Sequence, residues 1–145
     1  MDRGLAVVLT ALVGGVLAMQ APINAQLGRA TGSIPAALVS FTVGTIALAI
    51  IVVAVGEVRG LGSTLDVRWY YLVGGLLGAV YVTMALITVK TIGAGGVAAA
   101  TITGQLAASL AIDRLGLFGL AETPLTASRV VGVALLLAGT ILVVR

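Results

Sequence analysis

The sequence contains no cysteine and no histidine. These absences exclude disulfide bonds, metal sites built from cysteine or histidine, and a histidine proton switch. Charged residues are also scarce: they make up 9% of the chain, whereas a soluble domain carries about 25%. By contrast, 60% of the 145 residues are hydrophobic and the mean hydropathy is +1.22. A soluble domain of this length could not bury so much apolar surface, so the composition predicts an integral membrane protein that contacts the lipid bilayer.

The chain has a net charge of +3 and a pI of about 10, which in a soluble protein would suggest nucleic-acid binding. Here the eight basic residues are scattered at the ends of apolar runs, a distribution that membrane topology explains better. We therefore expect no nucleic-acid partner. We also expect no metal, no cofactor and no enzymatic activity, because the sequence shows no nucleophile–base pair, and the glycine cluster at 93–96 lacks the lysine of a phosphate-binding loop.

Five apolar stretches are long enough to cross a bilayer core about 30 Å thick, which takes roughly 20 residues per helix. They do not alternate as barrel strands do, so the predicted fold is an all-α transmembrane domain covering residues 1–145. The connections are short and predict antiparallel neighbours, with Ser33, Asp66 and Thr123 as N-caps. The predicted helices cover residues 4–27, 35–55, 69–89, 93–112 and 124–144.

The basic residues divide unevenly between the two predicted sides of the membrane. One side holds Arg3, Arg59, Arg68, Arg114 and Arg129, and the other holds Arg29, Lys90 and Arg145. This bias slightly favours a cytoplasmic location for the first side, and it leaves open whether the chain inserts in one orientation or in both. Because the number of helices is odd, a second copy inserted upside down would supply the inverted symmetry that many transporters use. We therefore expect an antiparallel homodimer.

The stretch "MQAPINAQL" places polar residues at the end of the first predicted helix. Gln20 and Asn24 are four residues apart and share one helix face. Pro22 lacks an N–H and frees the carbonyl of Ala18, so we expect the helix to kink or loosen there. An interrupted helix lined with amides is typical of transporter binding sites. The alternative is that both amides only meet water at the membrane interface.

The stretch "TITGQLAASLAIDR" forms a second polar stripe on the fourth predicted helix, with Thr101, Gln105, Ser109 and Asp113 spaced four apart. Such a stripe should not face lipid, because an unpaired polar group there is costly. It faces either a water-filled path or a neighbouring helix. Asp113 is predicted to pair with Arg129, as a structural salt bridge or as a gate.

Glycines supply small faces where helices can approach closely in lipid. They predict packing within one protomer or, for the fifth helix, between two. The candidates are Gly14, Gly15, Gly74, Gly78, Gly132 and Gly139.

No ionisable side chain lies deep in any predicted helix. Buried ionisable groups mark ion pathways and proton relays in membrane proteins. Their absence argues against a mid-membrane carboxylate that exchanges a proton for a cationic drug. The pattern favours a solute that is neutral, zwitterionic or only weakly charged.

The stretch "QAPINAQLGRATGSIPAALVSFTVG" resembles the first hairpin of the YdcZ-like family, and the likeness continues in "WYYLVGGLLGAVYV" and "GQLAASLAIDRLGLFG". These are small five-helix bacterial inner-membrane proteins of the drug/metabolite transporter superfamily. The resemblance implies a transporter fold, with members that occur as dual-topology single chains, as pairs or as fused ten-helix forms, and it supplies no firm substrate. The residues that match the family pattern are Gln20, Asn24, Phe41, Gly44, Gly104, Gln105, Asp113 and Arg129.

These observations together predict a small-solute transporter of the bacterial inner membrane that works by alternating access. Two other functions remain open: a passive channel for a small solute or ion, and an accessory membrane subunit that transports nothing. The residues expected to contact solute are polar or aromatic side chains of the first four helices. They are Gln20, Asn24, Ser40, Phe41, Tyr81, Thr101 and Gln105.

Overall fold

A computed structural model describes residues 2–145, and its long elements are all α-helices. Helix α1 spans Arg3–Thr31 and α2 spans Ser33–Val55. A long helical stretch, Val73–Leu115, is interrupted at Gly93, whose φ of 70° and ψ of 172° separate α3 (73–92) from α4 (94–115). Helix α5 spans Ala127–Val144. The described residues contain no β-strand, so the all-α prediction is confirmed.

Among residues 2–145, four helical stretches are long and apolar enough to cross a membrane. Three of them are α1, α2 and α5. The other runs over Trp69–Leu115 and has 47 residues, which corresponds to about 70 Å of continuous helix, more than twice the thickness of a bilayer core. The break at Gly93 lies where the sequence predicts the start of a new helix.

The segment between α2 and α3 is a series of short turns. It contains the short helix Val58–Gly62 and the 3₁₀ turns Ser63–Leu65 and Trp69–Leu72. Around the last turn, Arg68 donates a hydrogen bond of 2.9 Å to the hydroxyl of Tyr70, and the ring of Trp69 meets that of Tyr70 edge-on. Aromatic and basic side chains of this kind are typical of the membrane–water interface.

The helix ends differ from the sequence prediction at the caps. Ser33 is not the N-cap of α2, because α1 continues to Thr31 and a single residue, Gly32, joins the two helices. Gly32 has a φ of 90°, which glycine adopts without steric cost.

The other two predicted caps are also wrong. Arg68, rather than Asp66, precedes the turn that leads into α3, and no side chain caps that turn. Thr126, rather than Thr123, is the N-cap of α5, because the chain stays non-helical through Pro124 and Thr126 is extended, with φ −89° and ψ 154°.

Helix α1 remains helical through Pro22, so the interruption that the proline suggested is absent from its backbone. The chain nevertheless divides into two compact units within α1, between Ala18 and Met19. That point coincides with the carbonyl of Ala18, the acceptor that Pro22 leaves without its usual helical donor. The middle unit comprises Met19–Lys90, and the terminal unit comprises the residues before and after it.

Within the terminal unit, α4 and α5 run antiparallel. A Cβ placed on Gly96 would lie 3.2 Å from Val144, whereas Asp113, near the other end of α4, contacts Arg129 at the start of α5. The short loop between them therefore forms the helical hairpin that the sequence predicts.

Within the middle unit, α2 and α3 also run antiparallel. Ser33 at the start of α2 is hydrogen-bonded to Lys90 near the end of α3. Farther along both helices, the ring of Phe41 on α2 packs against Gly78 on α3. The core of this unit consists mainly of alanine, which allows α1, α2 and α3 to approach closely. Its buried apolar residues are Ala25, Ala36, Ala37, Val82, Ala85 and Leu86.

Candidate functional site

The polar face of α1 lies in the middle unit, and its residues follow one another at intervals of about one helical turn. Gln20 is half-buried, Asn24 is 6% exposed and Gln26, on another side of the helix, is exposed. The Nδ2 atom of Asn24 is buried and has no hydrogen-bond partner among the described residues. A buried amide donor without a partner loses its hydration without replacement, at a cost of about 1–3 kcal/mol. Asn24 is therefore a residue whose hydrogen bonding the described chain leaves incomplete.

One turn beyond Asn24, α1 packs tightly against α3. A Cβ placed on Gly28 would lie 3.0 Å from Cδ2 of Leu86 and 3.7 Å from Cβ of Ala36. Leu86 is fully buried. This contact was not predicted from the sequence, although Gly28 continues the four-residue series of Gln20 and Asn24. Glycine at this position is what admits the side chain of Leu86 between the helices.

Beyond that layer, the end of the middle unit carries basic side chains. Lys90 donates a hydrogen bond of 3.4 Å from Nζ to Oγ of Ser33. Arg29 lies near the end of α1 and is exposed, as is Lys90. The acidic residues of this unit, Glu57 and Asp66, follow the opposite end of α2. The Ser33–Lys90 end of the unit is therefore purely basic.

Three further predicted contact residues lie in the middle unit. Ser40, Phe41 and Tyr81 are each half-buried. The ring of Phe41 lies 3.4 Å from the position of a Cβ on Gly78, so it packs against the small face of α3. The structure thus brings Gln20, Asn24 and these three side chains into one unit, whereas Thr101 and Gln105 belong to the other.

In the terminal unit, α4 turns a different polar residue toward its neighbour. Thr103 is 9% exposed, and its hydroxyl oxygen lies 2.8 Å from that of Thr140 on α5. Both oxygens also lie within hydrogen-bond distance of the carbonyl of Ala99, at 2.9 Å and 3.1 Å. The pair was not predicted from the sequence, because each threonine stands alone among apolar neighbours. It is a fully satisfied interhelical hydrogen-bond cluster.

The predicted stripe of α4 points away from that cluster. Two residues correspond to about 200° of rotation on a helix, so Gln105 lies nearly opposite Thr103. Thr101 is half-buried, whereas Gln105 and Ser109 are exposed. Gln105 and Ser109 therefore do not hold α4 to α5, whereas Asp113, the last residue of the stripe, pairs with Arg129 of α5.

Asp113, near the end of α4, pairs with Arg129, near the start of α5, beside the loop of the α4–α5 hairpin. Oδ2 of Asp113 lies 3.4 Å from Nη1 of Arg129, and the side chains are 36% and 38% exposed. The backbone N–H of Thr123 also donates to the carbonyl of Asp113 at 2.8 Å. A pair this exposed contributes about 0–1 kcal/mol.

Of the six glycines predicted to pack, Gly78 is the one that meets a side chain of its own unit. At the other five, a Cβ would have no described neighbour of its own unit within 4 Å, so their role in packing stays a prediction. They are Gly14, Gly15, Gly74, Gly132 and Gly139.

Comparison with protein families gives one match, which covers residues 5–142. The matching family is described as "Putative inner membrane exporter, YdcZ". The chain belongs to the YdcZ family. Searches of curated proteins and of solved structures found no match.

Membership in the YdcZ family and the long apolar helices together place the protein in the inner membrane. The family is one of membrane transporters rather than enzymes. The resemblance noted from the sequence is therefore confirmed over nearly the whole chain.

Proposed function

We propose that this chain is a small-solute transporter that works by alternating access as an antiparallel, dual-topology homodimer. Membership in an exporter family supports the transporter class. The proposed mechanism uses no mid-membrane carboxylate, because the interiors of the apolar helices carry no ionisable side chain. Hydrogen-bonding side chains and backbone groups would then recognise the solute.

The break at Gly93 supports five membrane crossings. With α3 and α4 as separate crossings, each has a length close to the roughly 20 residues that a bilayer requires. Five crossings place the two ends of the chain on opposite sides of the membrane. A second copy in the reverse orientation then generates inverted repeats from a single sequence.

The exposed stripe on α4 is the observation that carries this proposal. Gln105 and Ser109 lie on a membrane-crossing helix, are exposed, and face away from the α5 contact. Amide and hydroxyl groups in hydrocarbon need a polar partner. A solute pathway that a second copy completes would provide one.

Each unit contributes its own proposed contact set. In the middle unit, Gln20, Asn24 and Ser40 offer hydrogen bonds, and Phe41 and Tyr81 offer aromatic faces. In the terminal unit, Thr101 and Gln105 offer further hydrogen bonds.

The test combines topology and flux. Tags at both termini, probed in intact cells and in inverted vesicles, are expected to be found on both sides of the membrane. A single orientation of every molecule would contradict the antiparallel homodimer. Purified protein in liposomes is then tested for counterflow of labelled solutes from a broad panel.

The flux result separates the alternatives. Exchange of labelled solute against a gradient supports alternating access, whereas fast flux without such exchange favours a channel. No flux of any solute, from folded and correctly dimeric protein, favours an accessory subunit and contradicts the proposal.

A further inference from the structure

The buried amide of Asn24 offers a donor and lacks an acceptor. Asn24 is the only asparagine in the chain and the only buried side-chain amide of the middle unit. Its Nδ2 atom has no partner among the described residues. The buried apolar side chains of its unit are mostly alanine. The site therefore suits a ligand that brings a hydrogen-bond acceptor attached to an apolar body.

The charges of the middle unit point to the sign of that ligand. Lys90, the only lysine of the chain, and Arg29 lie at the same end of the unit as Ser33. The acidic residues of the unit, Glu57 and Asp66, lie beyond the opposite end of α2. A purely basic end attracts anions and repels cations.

The contact between Gly28 and Leu86 shows where Asn24 and Lys90 lie along the helix axes. Asn24 precedes Gly28 by four residues on α1, and Lys90 follows Leu86 by four residues on α3. Because Gly28 contacts Leu86, Asn24 lies about 6 Å on one side of this layer and Lys90 about 6 Å on the other. The fully buried Leu86 side chain thus separates the buried donor from the basic end.

We propose that the solute is a small organic monocarboxylate, attracted by Lys90, admitted past Leu86 and bound through a hydrogen bond from Nδ2 of Asn24. This assignment rests on the transporter function proposed above. An inorganic anion is disfavoured relative to an organic one, because it has no apolar body to bury against the alanine-rich core. A monocarboxylate is singly charged and presents an apolar body to the alanine-rich core.

The test uses ligands of equal shape and different charge. Purified full-length dimer is exposed to benzoate, benzamide and benzamidinium, and to the matching acetate series, and the melting temperature is followed, since a ligand that binds the folded state raises it. We expect the carboxylates to raise the melting temperature most and the amidiniums least. Asn24→Ala should weaken benzoate binding by roughly tenfold or more. Gln26→Leu, on an exposed side of the same helix, is the matched control and should bind as the wild type does.

Two further variants separate the parts of the proposal. Asn24→Asp replaces the donor with an acidic acceptor and should shift the preference from benzoate to benzamidinium. Lys90→Gln should weaken benzoate binding at low salt, and the difference should shrink at high salt, where the charge is screened.

The outcomes are distinguishable from failure of the transporter proposal. A preference of the wild type for benzamidinium, no binding of either carboxylate, or benzoate binding unchanged in folded Asn24→Ala would each overturn the monocarboxylate assignment. Flux of another solute class in the liposome assay would leave the transporter function standing in any of those cases. Size-exclusion retention of each variant confirms that its dimer is intact.

Discussion

Among the described residues, the middle and terminal units each contain one buried polar side chain, and the two side chains differ in their hydrogen bonding. In the terminal unit, the hydroxyl of Thr103 lies within hydrogen-bond distance of the Thr140 hydroxyl and of the carbonyl of Ala99, so this buried group has partners. In the middle unit, the Nδ2 of Asn24 has none. A satisfied polar group holds helices together, whereas an unsatisfied donor is available to a ligand. We propose that the contrast separates a polar group that stabilises the helix packing from one that binds a solute.

Asn24→Leu is expected to have the largest effect on function. Loss of a hydrogen bond to a charged solute, worth about 1.5–3 kcal/mol, lowers apparent affinity by roughly tenfold or more. Counterflow in liposomes should fall accordingly while the protein stays folded. Gln20→Leu, one turn closer to the unit boundary, is also expected to reduce flux. Normal transport by both variants would show that these amides are only interfacial and that the site lies elsewhere.

Gly28→Ala is expected to be the largest packing defect of the middle unit. The added methyl would lie 3.0 Å from Cδ2 of Leu86, so the helices or the leucine must shift. Overpacking of this kind costs about 1–3 kcal/mol. Thermal unfolding of the protein measures it. In a double-mutant cycle with Leu86→Ala, the two losses should be less than additive, because the shorter side chain leaves room for the added methyl.

Gly14→Ala is the matched control for that experiment. A Cβ at Gly14 meets nothing of its own unit within 4 Å, and alanine favours a helix over glycine. The variant should therefore be as stable as the wild type or slightly more stable. Equal destabilisation by both substitutions would contradict the special role of the Gly28–Leu86 layer.

Thr103→Val tests the hydrogen-bonded threonine pair of the terminal unit. Interhelical hydrogen bonds in membranes average about 0.6 kcal/mol and reach about 1.7. We expect a loss of stability in this range and no change in the preference among benzoate, benzamide and benzamidinium. A double-mutant cycle with Thr140→Val should show that the two losses are coupled. A changed ligand preference would mean that the threonine pair also takes part in binding.

The Asp113–Arg129 pair is expected to have the smallest effect. Both side chains are more than a third exposed, so Asp113→Asn should cost no more than about 1 kcal/mol. The charge-exchanged variant, Asp113→Arg with Arg129→Asp, should recover that loss and transport at the wild-type rate. Restored stability without restored flux would instead identify the pair as a gate.

The sequence predicts much of the helical framework, because helix length and apolar runs follow from the bilayer itself. The break at Gly93 lies at the predicted start of a helix, and α4 and α5 form the predicted hairpin. The cap of α2 could not be predicted, because the sequence favours Ser33 as the cap, whereas Gly32 joins α1 to α2 with a positive φ.

The partners of polar side chains were harder to predict than the helices. From the sequence, Thr103 and Gln105 are equally plausible as the residue of α4 that bonds to a neighbouring helix. The structure shows that Thr103 makes this bond, to Thr140 of α5. Likewise, Gly28 matters because of Leu86, which lies 58 positions away in the sequence. Such contacts depend on how helices rotate about their axes, and a weak apolar pattern does not fix that rotation.

The side-chain amide of Asn24 can be observed directly, because it is the only asparagine in the chain. Selective ¹⁵N labelling of asparagine gives a single side-chain amide group in an NMR spectrum of the protein in nanodiscs. Titration with benzoate is predicted to move one Nδ2 proton to lower field and to slow its exchange with water, with saturation at the concentration that raises the melting temperature. An amide signal that stays unchanged while benzoate stabilises the protein would contradict a solute held by Asn24.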